Sequence, residues 1–194
     1  IPSHSSEVCR TLANGLGGRA WQLPVPAIVD TAEATTHLKQ TSTVGEPGDY
    51  GSVALSHDGK QAAVTVIEGG NDDVWIFDVV RNLRSRFTFD VTSDRAPVRS
   101  PDDRTIYWWK TLNQVARKSA DGSGKEEAIV TSQGTQLPTS VSPDGKTLLF
   151  THSSEKLFGI WIRPLDTGGQ EREWLDSRFN DFNAQFSPDG RWVA

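Results

Sequence analysis

Ser56-His57-Asp58-Gly59, Ser100-Pro101-Asp102-Asp103, Ser142-Pro143-Asp144-Gly145 and Ser187-Pro188-Asp189-Gly190 decide how this chain folds. They begin 44, 42 and 45 residues apart. An apolar residue stands shortly before each, and a basic residue and a β-prone run such as Thr147-Leu148-Leu149-Phe150 come after it, which reads as strand, tight turn, strand. One four-stranded unit cannot bury both of its faces until neighbours stack around an axis. A period of 40 to 50 residues with several strands per unit therefore points to the blades of a β-propeller, an all-β fold of four-stranded antiparallel blades.

The tetrapeptide itself explains as a turn rather than as chemistry. Proline presets φ at the second turn position, Asp bonds nearby backbone N–H groups, and Gly takes the left-handed conformation that closes the hairpin. His57 and Asp103 depart from the pattern, and both residue types are tolerated in turns, Asp even at positive φ.

Composition narrows the class further. Seven tryptophans and short β-branched and aromatic runs suit an all-β chain, and no 3.6-residue period extends far enough to compete. No apolar stretch reaches the roughly 18 residues of a spanning helix, so direct membrane insertion is not expected. The chain opens on Ile1 and contains no methionine, so a processed or trimmed product is the expectation. Cys9 is the single cysteine, which leaves no internal disulfide and reads as a passive thiol. With a net charge of −5 and no basic stripe interleaved with aromatics, nucleic acid is not an expected partner. The nearest basic cluster, Arg81-Asn82-Leu83-Arg84-Ser85-Arg86, reads as a solvated hairpin loop.

Within the repeats a four-strand order is expected. In the unit 49–94 the strands are 51–55, 62–67, 74–78 and 85–89, with Trp75 and Phe77 on one face and Val74 and Ile76 on the other. The unit 95–137 has middle strands at 106–109 and 115–118, followed by the hairpin signal Asp121-Gly122-Ser123-Gly124. The unit 138–183 repeats the pattern, Ile160-Trp161-Ile162 answering Val74-Trp75-Ile76. Residues 184–194 supply only two strands, 184–186 and 191–194, and stop mid-blade. Residues 1–48 are an irregular segment. In it Ala20-Trp21-Gln22-Leu23-Pro24-Val25 echoes Ile160-Trp161-Ile162-Arg163-Pro164-Leu165, and Ala27-Ile28-Val29-Asp30 would be the strand after it. Two outer strands at the start and two inner strands at the end would close a small ring through one composite blade, with Trp21 near Val193. The competing reading is a fragment of a ring of about six blades, which needs about 260 residues. An open ring would expose unpaired edges and invite a homo-oligomer.

The Ser-Pro-Asp-Gly hairpins, the strands Val74-Trp75-Ile76-Phe77-Asp78 and Ile160-Trp161-Ile162-Arg163-Pro164-Leu165-Asp166, and Phe179-Asn180-Asp181 leading into residues 184–194 resemble TolB-type, WD40-like (PD40) propeller repeats. More narrowly, Val44-Gly45-Glu46-Pro47-Gly48-Asp49-Tyr50 and the segments after it resemble the C-terminal propeller region of bacterial, acidobacterial-type serine/threonine protein kinases. The likeness covers about residues 41–194. It implies a non-catalytic binding or scaffold module that recognises a protein or peptide, a periplasmic or otherwise extracytoplasmic sensor region of a larger bacterial protein. The same repeats also accompany prolyl-oligopeptidase-type serine hydrolases, so a regulatory propeller whose catalytic domain is absent is the alternative.

Catalytic motifs are missing from these residues. There is no kinase catalytic-loop His-Arg-Asp, no Asp-Phe-Gly and no Gly-x-Ser-x-Gly elbow. Gly122-Ser123-Gly124-Lys125 lacks the first glycine and the hydroxyl residue of a phosphate loop. His4, His37, His57 and His152 have no second His or Cys at ligand spacing, so no catalytic or metal residue and no resident cofactor is expected. Binding is expected instead in loops around the mouth of a propeller channel: 68–73, 110–113 and 152–158 within blades, and 90–96, 133–137 and 176–183 between them. The candidates are Asp72, Asp73, Asn113, His152, Glu155, Arg178, Asn180 and Asp181, whose acids and amides would suit a basic peptide segment or a channel-bound cation such as calcium. His152 stands out because it follows a core strand and begins a loop. For each candidate a turn, cap or ion-pair role competes.

Overall fold

The computed structural model describes residues 27–30, 39–111, 113–153, 157–175 and 177–194. All regular structure among them is β. Fourteen strands are present: β1 (Ala27–Asp30), β2 (Lys39–Thr43), β3 (Asp49–Leu55), β4 (Gln61–Glu68), β5 (Asn71–Asp78), β6 (Leu83–Arg86), β7 (Asp94–Arg99), β8 (Thr105–Lys110), β9 (Gln114–Ser119), β10 (Glu127–Thr131), β11 (Gln136–Val141), β12 (Thr147–Ser153), β13 (Phe158–Pro164) and β14 (Arg172–Leu175). β3 to β6, β7 to β10 and β11 to β14 each form a four-stranded antiparallel sheet in chain order, as blades do.

The four Ser-x-Asp turns explain why each sheet begins as it does. In the first, Ser56 Oγ donates to Asp58 Oδ1 (2.7 Å), Asp58 Oδ1 accepts the Lys60 amide (3.0 Å), and Ser56 Oγ accepts the Gln61 amide (2.9 Å). The fourth residue of each turn sits at positive φ: Gly59 at 69°, Asp103 at 58°, Gly145 at 73° and Gly190 at 69°. Asp103 holds a conformation that glycine takes more easily, and Asp is one of the few other residues that does so.

The chain divides into two compact units, Ile1–Arg95 and Ala96–Ala194. In the first, β1 and β2 pair with each other. One face of the β3–β6 sheet carries Ala62, Val64, Val66 and Phe77 with Val44 and Tyr50, and Trp75 lies partly buried against them. Trp75 and Phe77 thus share a face, as their alternation requires. Only part of the basic run is loop: Arg81 and Asn82 lie in the turn after β5, while residues 83–86 are the edge strand β6, and the expected strand 85–89 is displaced toward the N-terminus. Phe87 is buried, and its amide bonds the Val74 carbonyl (2.9 Å) in continuation of the β5–β6 register; the Thr88 amide reaches the same carbonyl (3.2 Å), and there the regular ladder ends.

In the second unit one core joins two sheets: Val98, Tyr107, Val115 and Val130 from β7–β10 against Val141, Leu148 and Phe150 from β11–β14. The opposite face of the latter sheet buries Leu149, Ile160 and Ile162 under Ala184, with Phe186 and Val193 partly buried beside it. Residues 184–194 are therefore a hairpin docked on the third sheet. Its two arms pair where the sequence suggests two strands, but only as a short β-bridge, Phe186 to Val193, flanked by the reciprocal Gln185–Ala194 backbone bonds (2.8 and 3.0 Å) and by the Ser187 amide on the Trp192 carbonyl (2.9 Å). Thr139 Oγ1 donates to the Ala184 carbonyl (2.7 Å) and the Phe186 amide donates to Ser140 Oγ (3.2 Å), so side chains take over bonds that a ladder would make. The Trp21 side of the expected composite blade lies outside the described residues.

Candidate functional site

Two of the expected loop acids, Asp72 and Asp73, are strand residues. Asp72 and Asp73 lie in β5, paired with Ile67 and Val66, because the hairpin before them turns on only Gly69 and Gly70 at φ 63° and 83°. Both carboxylates are buried and each has its own arginine: Asp72 pairs with Arg95, and Asp73 with Arg86 Nη2 at 2.7 Å. Asn113, at φ 61°, serves a turn between β8 and β9. Asn180 Oδ1 accepts the Phe158 amide (3.0 Å), and the Asp181 amide donates to the Phe158 carbonyl (2.9 Å). Ser177 Oγ donates to the Asp181 carboxylate, and the Arg178 guanidinium lies 5.8 Å from the centre of the Phe179 ring. Asn180 and Asp181 fasten this loop to the start of β13, whereas Arg178 stays within the loop. Glu155 lies outside the described residues.

His152 behaves differently. It belongs to the end of β12, paired with Gln136 and Gly159, rather than to a loop. Leu148, Phe150 and His152 alternate onto one face of the third sheet, and their cross-strand partners Arg163, Trp161 and Gly159 share that face. The inner part of this face is the core described above. The outer part opens into a cleft of about 670 Å³ lined by His152, Trp161, Arg163 and Glu171 on one wall and by Thr131 and Ser132 on the other.

The second wall is held in place by a buried amide. Gln136 is fully buried, and its Nε2 points at the carbonyls of Ser132 (2.9 Å), Gln133 (3.2 Å) and Gly134 (2.6 Å), gathering three successive backbone acceptors around one amide. Gly134 sits at φ 89°, and a Cβ there would run into the Ser153 carbonyl oxygen. The Ser153 amide donates to the Thr135 carbonyl (2.9 Å) and the Thr135 amide to Ser153 Oγ (2.8 Å), tying the turn to β12 beside His152.

Inside the cleft the His152 and Trp161 rings lie 4.7 Å apart. Burial lowers the pKa of His152 below its ordinary value, against the opposing pull of Glu173 and Glu171, so the imidazole is neutral at pH 7. Arg163 Nη1 pairs with Glu171 Oε2 at 3.1 Å. Among the described residues His152 Nδ1 and Ser132 Oγ are buried without a hydrogen-bond partner. The cleft therefore offers an aromatic face, a fixed ion pair and unsatisfied polar atoms, the mixture that recognition sites use. Among the described residues no group of three or more His, Cys, Asp or Glu side chains could hold a metal ion.

A family model, the TolB beta propeller domain (PD40), matches residues 28–194, so it includes the three sheets, the four turns and the cleft. The chain belongs to the TolB-type β-propeller family. No curated protein matches it. Among solved structures, it is similar to a protein described as a putative TolB from Agrobacterium tumefaciens, with a TM-score of 0.67 and 24% identity over 86% of this chain and 68% of that one. A TolB from Acinetobacter baumannii gives 0.64 and 22% over 82% and 40%, and a structure of a nidogen/laminin complex gives 0.63 and 13% over 83% and 60%. The chain thus spans only part of each, and the likeness shows the fold. In this TolB-type propeller, His152 is the one expected site residue among the described residues that lines the cleft. Ser132, Trp161, Arg163 and Glu171 escaped the sequence reading because they lie on strands or next to them. Only the inter-blade loop 133–137 pointed toward that wall.

Proposed function

We infer that this propeller is a non-catalytic binding module that recognises a protein or peptide. It would serve as an extracytoplasmic sensor or scaffold region of a larger bacterial protein of the kinase type to which residues 44–50 are similar. The observation that carries this reading is the cleft of the second unit. Its Gln136-clamped wall is preorganised, and an ordered wall spares a ligand part of the entropy cost of binding. The similarity to TolB structures and to a nidogen/laminin complex, the latter named for an assembly between proteins, supports a protein partner.

Phage-displayed random peptides panned against residues 1–194 test the reading. Expected are related sequences that compete with one another, are recovered uncleaved, and lose binding to Trp161→Leu. Enrichment indifferent to Trp161→Leu, or none at all, would overturn it.

A further inference from the structure

One wall of the cleft is an unpaired sheet edge. β10 is the terminal strand of its sheet, and among the described residues no strand pairs with its outer side. Ala128, Ile129, Thr131, Ser132 and Gln133 all line the cleft. Side chains of a strand alternate between faces, so a near-continuous run of lining residues means that the strand meets the cleft with its edge. A bulge between Ala128 and Val130 twists this edge out of register with β9. Such an edge offers backbone donors and acceptors to an added strand.

The facing wall selects charge. Glu173 lies opposite Trp161 in the β13–β14 register. The space that a side chain on Gly159 would fill lies 3.1 Å from Glu173 Oε1 and 3.7 Å from Trp161 Nε1, so the glycine lets carboxylate and indole lie together. Arg163 is matched by Glu171. Glu173 stands in none of the ion pairs found among the described residues. The uncompensated charge beside the aromatic platform is therefore negative, and an indole face next to a carboxylate favours an ammonium or guanidinium.

Resting on the reading of the cleft as a recognition site, we propose that it takes an extended peptide as an added strand along β10, with a Lys or Arg side chain laid on Trp161 beside Glu173. The strand supplies backbone pairing that is blind to sequence, and the Trp161–Glu173 pair supplies the choice of side chain.

Three blocked seven-residue peptides of alternating Thr and Val test this, with Lys, Glu or norleucine at the centre, titrated into 15N-labelled residues 1–194. The Lys peptide is expected to shift the amides of residues 128–133 and the Trp161 indole, and to bind several-fold more tightly than the other two. Glu173→Gln, an exposed position, is expected to weaken it on the order of threefold while leaving the norleucine peptide unchanged. Equal binding of all three at those amides would overturn the charge selection and leave the cleft as a recognition site. Shifts confined to other surfaces, or no binding of these peptides while phage-selected peptides still depend on Trp161, would overturn strand addition itself.

Discussion

Ser142 Oγ donates to Asp144 Oδ1 at 2.6 Å, and the same two-residue bond recurs from Ser56 to Asp58 at 2.7 Å, from Ser100 to Asp102 at 2.6 Å and from Ser187 to Asp189 at 2.6 Å. Each of these carboxylates also accepts the amide two residues on. The serine hydroxyl and that amide hold the four aspartates below the ordinary carboxylate range, the amide contributing most at Asp58 and the hydroxyl at the other three.

Lowered folded-state values stabilise the fold above the unfolded pKa of about 4, and that contribution is lost as pH falls through the folded values. Urea midpoints should therefore be flat above about pH 5 and fall below about pH 4. A variant with all four aspartates changed to Asn should lose less over the same interval. Parallel losses in both proteins would contradict this role.

Gly134→Ala should cost well over 1 kcal/mol, about 2 to 4, because it combines positive φ with a Cβ that meets the Ser153 carbonyl. Gly145→Ala, at positive φ with open space around it, should cost only about 1 kcal/mol. Denaturant titration of the two variants separates steric from purely conformational strain.

Arg86→Ala strands the buried Asp73 carboxylate with only the Thr88 hydroxyl, 3.5 Å away, for company. The arginine side chain is 35% exposed, which discounts the loss to about 1–3 kcal/mol. Removing both charges in Arg86→Ala with Asp73→Ala should recover part of it. A double variant less stable than the sum of the singles would refute a compensating pair.

His152 should titrate below about 6.5 by NMR, since desolvation dominates its environment. A depressed value means that the unfolded chain binds the proton more readily, so this group adds stability above the unfolded pKa and withdraws it as pH falls. A midpoint above the ordinary value would mean that the cleft is wetter than its geometry implies.

The turns were legible because each is a local unit: Ser, Asp and the positive-φ residue all act within five positions. Strand order followed from them, and Trp75 and Phe77 sorted correctly by alternation alone. Asp72 and Asp73 were misplaced because a Gly-Gly turn lets β5 begin at Asn71, three residues earlier than hydrophobicity suggests. Residues 83–86 looked like a loop because an edge strand needs no apolar face when its arginines find carboxylates across the sheet, as Arg84 finds Glu68 at 3.0 Å. The cleft was illegible for another reason. Thr131 and Ser132 meet His152 and Trp161 only after two sheets pack, and the amide of Gln136 reveals its clamp only once Ser132, Gln133 and Gly134 curl around it.

Intermolecular NOEs from a phage-selected peptide to the protein test the central claim most directly. Contacts to Thr131 and to the Trp161 ring, with backbone contacts running along β10, are the predicted result. Contacts confined to the 177–183 loop or to the β4–β5 turn at Gly69 and Gly70, with none to Trp161, would contradict it.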